Sequence, residues 1–126
     1  MAGLSRGMAK AFLAEAAVTK RRIVKFGAAD NAVVMAAAAA DTSFGVSTEI
    51  DAAIGQTVDI VLSDIADVEF GGTVTRGAKL TSDATGRAIA AAPAAGANVQ
   101  IIGIALVSAV AGDVGPVLIK QSVMQG

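Results

Sequence analysis

A chain of 126 residues with no cysteine and no histidine is long enough for one core, and it lacks the usual means of covalent and metal chemistry. Disulfides, thiolate nucleophiles and thiolate metal sites are excluded, and the commonest general base and metal ligand are missing. Aromatics amount to four Phe, with no Trp or Tyr, and the net charge of −1 is unevenly spread: Arg6, Lys10, Lys20, Arg21, Arg22 and Lys25 face only Glu15 in the first 25 positions, whereas the rest is acidic.

Residues 1–17 include AKAFLAEAA, rich in Ala, Leu, Lys and Glu. These are good helix formers, but a helix this short is marginal alone. The segment is predicted to be an arm that orders against a partner. Arg6 and Lys10 precede an apolar piece that Glu15 interrupts, so a signal peptide is not expected. No run of about 18 apolar residues suggests a membrane-spanning helix.

From Val18 the texture becomes that of strands. RRIVKF, residues 21–26, is rich in β-branched and aromatic residues; GAADNA, residues 27–32, is a turn; VVM, residues 33–35, returns as the partner strand. The alanine run 36–40 is too short to nucleate a helix and reads as strand end or loop. FGVSTE, residues 44–49, alternates, and AAIGQ, residues 52–56, is a turn. In TVDIVLSDIADVEF, residues 57–70, Val58, Ile60 and Leu62 share one parity while Thr57, Asp59 and Ser63 share the other, the period of a half-buried strand. Ser63-Asp64 allows a bend, and Gly71-Gly72 ends the next strand.

The second half repeats the plan. TRGAKL answers KRRIVKF, SDATGRA answers GAADNA, IAAA answers VVMAAA, and QIIGIALVSA answers SFGVSTEIDA with Gly103 against Gly45. AGDVGPVLI answers IGQTVDIVL, with Gly112 against Gly55 and with Val117 and Ile119 against Ile60 and Leu62. The expected fold is mainly β: a small β-barrel or sandwich from two similar hairpin-rich halves, residues 18–70 and 71–120. An arm, residues 1–17, precedes a single domain, residues 18–126. Closure protects sheet edges, and small side chains suit tight corners.

Few constellations offer chemistry. GGTVTRG, residues 71–77, lacks phosphate-loop spacing and leads into a strand. Asp59, Asp64, Asp67 and Glu69 read as a solvated face, with no EF-hand pattern. GTVTRGAKL resembles a turn of biotinyl or lipoyl carrier domains, but the hairpin tips, Asp30-Asn31 and Thr85-Gly86, hold no lysine. Lys20, Arg21, Arg22 and Lys25 have only Phe26 nearby where a nucleic-acid site usually adds several aromatics for stacking, and an acidic body repels phosphate. An acidic protein surface is the better match.

In order, RIVKFGAADNAVVMAAAAADTSFGVSTEIDAAIGQTVDIVL, VEFGGTVTRGAKLTSDATGRAIAAA and IIGIALVSAVAGDVGPVLI resemble the capsid decoration, or cement, proteins of tailed bacteriophages across residues 18–120. The resemblance implies a β-barrel-like fold without catalysis, cofactor or metal. It implies a virion protein, made in the bacterial cytoplasm, that sits on the outer surface of an expanded shell and bridges major capsid proteins. Homotrimers are favoured over dimers, with no direct contact to nucleic acid or membrane. Arg6, Lys10, Phe12, Leu13, Lys20, Arg21, Arg22 and Lys25 are the candidate capsid-binding residues. Two other classes stay open: a non-catalytic β-barrel module that binds carbohydrate or a host surface, and an enzyme using the carboxylates between Asp59 and Glu69.

Overall fold

The computed structural model describes residues 7–126, and among these there are ten strands and no helix. The first five are β1 (Ala9–Ala14), β2 (Ile23–Phe26), β3 (Ala32–Met35), β4 (Ser43–Ser47) and β5 (Thr57–Val61). They close on themselves in the order β1-β3-β2-β4-β5, because β1 pairs antiparallel with β5 and parallel with β3. The others are β6 (Ile65–Glu69), β7 (Lys79–Ser82), β8 (Ala88–Ala90), β9 (Asn98–Ala105) and β10 (Val114–Gln125), forming a sheet in the order β6-β10-β9-β7-β8.

The two orders are the same order. Reading from β3 to β1 in the barrel and from β8 to β6 in the sheet, each strand finds its counterpart. Registers agree as well: Val24 lies opposite Gly45, and Leu80 opposite Gly103. The glycines are required by close approach. A Cβ on Gly45 would meet the Val61 carbonyl oxygen at 2.7 Å, and one on Gly103 would run into that of Leu118. Gly55 and Gly112 both have positive φ, 85° and 91°, where a side chain is strained.

The halves differ in how the first and third strands meet. In the barrel, Leu13 N–H of β1 donates to the Asn31 carbonyl at the β2–β3 turn, 2.8 Å away. In the second half a segment of the first is wedged into that gap. Glu69 N–H donates to the Arg21 carbonyl (2.9 Å), and Ile23 N–H donates to the Gly86 carbonyl (2.7 Å). Beyond the wedge, β6 and β8 edges meet at a single bridge, Phe70 with Ala88. Gly86, at φ 79°, leaves room for the wedge: a Cβ there would lie 2.9 Å from the Ile23 oxygen.

Burial follows this arrangement. One cluster, including Phe12, Val18, Val24, Val33, Val58 and Ile60, fills the barrel. The other joins Ile23, Val46 and Val61 of the first half to Phe70, Leu80, Ile102 and Val117 of the second, so the halves share a core.

Two expectations change. Residues 9–14 are a barrel strand rather than part of an arm outside the fold: β1 holds five paired positions against β5, with Phe12 and Ala14 buried. Helix propensity lost to pairing, because alternate side chains of AKAFLA fit one wall of the barrel. The matching units also start earlier than residues 18 and 71, since β1 corresponds to β6. Both hairpin tips, the alanine loop at 36–40 and the bend at Asp64 (φ 60°) stand where the sequence puts them.

Candidate functional site

The eight candidate contact residues do not form one surface. Arg6 lies outside the described residues. Lys10 is exposed on β1; its ammonium bonds the Asn31 side-chain oxygen and lies 4.2 Å from the Phe12 ring centre. Phe12 is buried inside the barrel, whereas Leu13, on the opposite parity, is exposed. Lys20 is exposed at the turn before β2, and its backbone N–H donates to the Asp51 carboxylate (2.8 Å).

Arg21, Arg22 and Lys25 have carboxylate partners within the chain. Arg21 pairs with Asp67 (3.7 Å), Arg22 with Glu69 (3.5 Å) and Lys25 with Asp41 (3.2 Å). Arg22 also donates to the Thr85 carbonyl (2.8 Å). Glu69 receives Arg87 too (3.7 Å), and Arg87 reaches Asp83 (3.2 Å). Arg21 and Arg22 belong to the wedge, and Asp67, Glu69, Asp83 and Arg87 line the gap it fills. Arg21 and Arg22 therefore fasten the halves together, whereas Lys25 and Asp41 both belong to the first half. The acidic partners of Arg21 and Arg22 lie more than 40 positions away in sequence, so composition alone could not pair them.

Two carboxyls in these networks titrate below the ordinary range. Burial opposes ionisation of Asp83, but N–H donors from Thr85 and Arg87, the Thr85 hydroxyl and the Arg87 guanidinium outweigh it. For Asp41, burial is likewise outweighed by the Ala37 N–H and by Lys25, which both bonds and attracts it, with a further contribution from the Ala38 N–H.

Chemistry on a bound small molecule finds little support in this geometry. No group of three or more potential metal ligands occurs among the described residues. Asp67 and Glu69 do lie on one face of β6, but they face arginines rather than a cleft. A shallow recess of about 390 Å³ borders Lys25, Phe26, Ala40, Asp41 and Thr42. Beside it, exposed Phe26 stacks on Phe44 with centroids 4.1 Å apart, and Phe44 leans on Phe12 at 5.3 Å. No described helix is long and apolar enough to cross a membrane.

Several exposed apolar side chains that sequence reasoning passed over are in loops. Ile50 and Ile54 stand in the β4–β5 loop, and Leu106 and Val110 in the β9–β10 loop. Their signal was present: large aliphatic residues inside segments that otherwise read as turns.

A family model described as phage cement protein matches residues 6–121. The match starts well before residue 18, in keeping with β1 as part of the fold. Among solved structures, the chain is similar to the head fiber gp8.5 N base in bacteriophage phi29, with a TM-score of 0.67 and 19% identity. The alignment covers 90% of this chain and 93% of that one, and at such identity it speaks for the fold. A search of curated proteins finds no match.

Proposed function

This chain belongs to the phage cement protein family, and from that membership we propose that it binds the outer surface of the expanded capsid and bridges neighbouring major capsid proteins. Family membership itself makes it a virion structural protein with a capsid partner. The observation that carries the finer reading is the family match across nearly the whole chain, residues 6–121.

The mechanism is preferential binding. A shell filled with packed DNA fails where subunit contacts part. A protein that binds only the expanded, assembled lattice stabilises that state by its differential binding free energy. Individual contacts can be weak if several are engaged together, because tethering raises the effective concentration of each later contact. A homotrimer would multiply them further. The rigid β body, a closed barrel sharing a core with a second sheet, suits this work, since little ordering entropy is lost on docking. No step of this mechanism calls on catalysis, cofactor or metal.

The test is cosedimentation of the purified chain with DNA-free shells before and after expansion. Saturable binding to expanded shells, with little to unexpanded ones, is the expected outcome. Equal binding to both, or to neither, would reject the reading.

A further inference from the structure

We propose that the end of β10 is a docking edge for a second copy of this chain, the two edges pairing antiparallel about a twofold axis at Val123. This contact goes beyond the cement reading and stands or falls independently of it. The family match stops at residue 121, so residues 122–126 lie beyond it.

The second half carries an addition that the first lacks. β4 and β5 hold five residues each, whereas β9 holds eight and β10 twelve. The surplus forms a two-stranded ribbon in which Ser122 to Gln125 pair with Ile101 to Asn98, and a bulge between Ile119 and Ser122 leads into it. β6, the other neighbour of β10, stops with Ile65 opposite Leu118, and the last bond on that side runs from Ile119 N–H to the Asp64 carbonyl (2.7 Å). From Lys120 to Gln125 only Met124 is part-buried, and Val123 is 57% exposed.

The backbone bonds show which groups the open side presents. Gly126 N–H donates to the Ala97 carbonyl (2.9 Å), in register with the ribbon, so the even positions of this stretch face β9. Gln100, opposite Val123, turns its N–H the other way, to the Ala39 carbonyl (2.8 Å). Bonded and non-bonded pairs alternate along an antiparallel ladder. Val123 and Gln125 therefore aim their N–H and carbonyl groups away from β9, where no described residue bonds them. The β9 side of the ribbon is fastened to the first half; the β10 side is bare.

A bare edge pairs with another strand unless charge, proline or a cover prevents it. Gln121 to Gln125 hold no charge and no proline, and the same edge on a second copy is self-complementary to it. Centred on Val123, the pairing sets the two valines opposite each other and Ser122 opposite Met124. Lys120, the one charge, falls opposite Gly126, so no like charges meet. Each Val123 offers one backbone donor and one acceptor, as a bonded antiparallel pair requires. Such a contact is far smaller than the roughly 1,600 Å² of a standard interface. It forms reversibly, and it joins copies in pairs whether or not they also assemble through another face.

The chain has no cysteine, so Val123→Cys introduces a single thiol. Across the axis the Cα atoms of a bonded pair stand about 5.5 Å apart, within the span of a disulfide. Mild oxidation of the concentrated Val123→Cys chain is expected to give disulfide-linked dimers much faster than Ile54→Cys, an exposed loop position outside the ribbon. In sedimentation velocity the mass of the unmodified chain is expected to double as concentration rises. Val123→Pro removes an outward N–H and leaves the β9 ladder intact, and it is expected to lose that doubling. Val123→Glu sets like charges face to face across the axis and is expected to lose it too, with an unchanged circular dichroism spectrum showing that the fold survives. A mass that stays constant, a doubling that both variants keep, or equal oxidation at the two cysteine positions would overturn the proposal. So would a photo-crosslinker at Val123 that joins the shell-bound chain to shell protein and never to a second copy.

Discussion

Gly86 shows how a single missing Cβ holds two half-structures together. It turns the β7–β8 hairpin at positive φ and lets the Arg21–Ile23 segment pass within bonding distance. Gly86→Ala is expected to cost about 1–3 kcal/mol, from strain at positive φ and contact with the Ile23 oxygen, read as a lower denaturant midpoint. Nearby, Glu69→Gln loosens both Arg22 and Arg87. Their side chains are 16% and 33% exposed, so solvent screening limits the loss to about 1 kcal/mol. Acid should act through Asp83. Its carboxyl is held below the ordinary range in the folded chain, so its stabilisation is complete above the unfolded value near pH 4 and is lost as pH falls through the native value. Asp83→Asn should flatten the acid limb of stability against pH, measured by urea unfolding from pH 7 down to pH 3. At this scale the sequence was informative about glycines, because Gly45 and Gly103, and Gly55 and Gly112, align and stand in matching places. It was silent about the arginines, whose partners are set only by folding.

Among elements, β1 is where local propensity and final structure part company. AKAFLA carries helix formers, yet it is the strand that closes the barrel, pairing with β5 on one side and β3 on the other. Period-2 reading of the residues was available: Phe12 and Ala14 turn inward while Ala11 and Leu13 turn out. Strands β2 to β9 were legible because β-branched runs, Gly and Asp-Asn turns and length all agreed. β1 was not, because alanine and lysine carry no strand signal and the pairing partner lies 44 to 52 residues away. Phe12→Ala should therefore cost about 3–5 kcal/mol, as expected for a core aromatic, and lower the thermal midpoint sharply. Removing residues 1–17 should abolish cooperative unfolding, followed by far-ultraviolet circular dichroism, since it opens the barrel. A truncation of that length cannot serve to test an arm.

At the scale of the whole molecule, the two halves are one five-stranded plan used twice, with a piece of the first inserted into the second. The insertion makes the Arg21–Arg22 region a fastening between halves, which accounts for its carboxylate partners. Bonded edges and a shared core give a stiff body, suited to the bridging role proposed for it. Under the proposed function this body reinforces the expanded shell by binding it. The most direct measurement is the temperature at which expanded, DNA-free shells disassemble, by light scattering, with and without saturating chain. A clear upward shift that follows occupancy is the expected result; an unchanged disassembly temperature at full occupancy would contradict the claim.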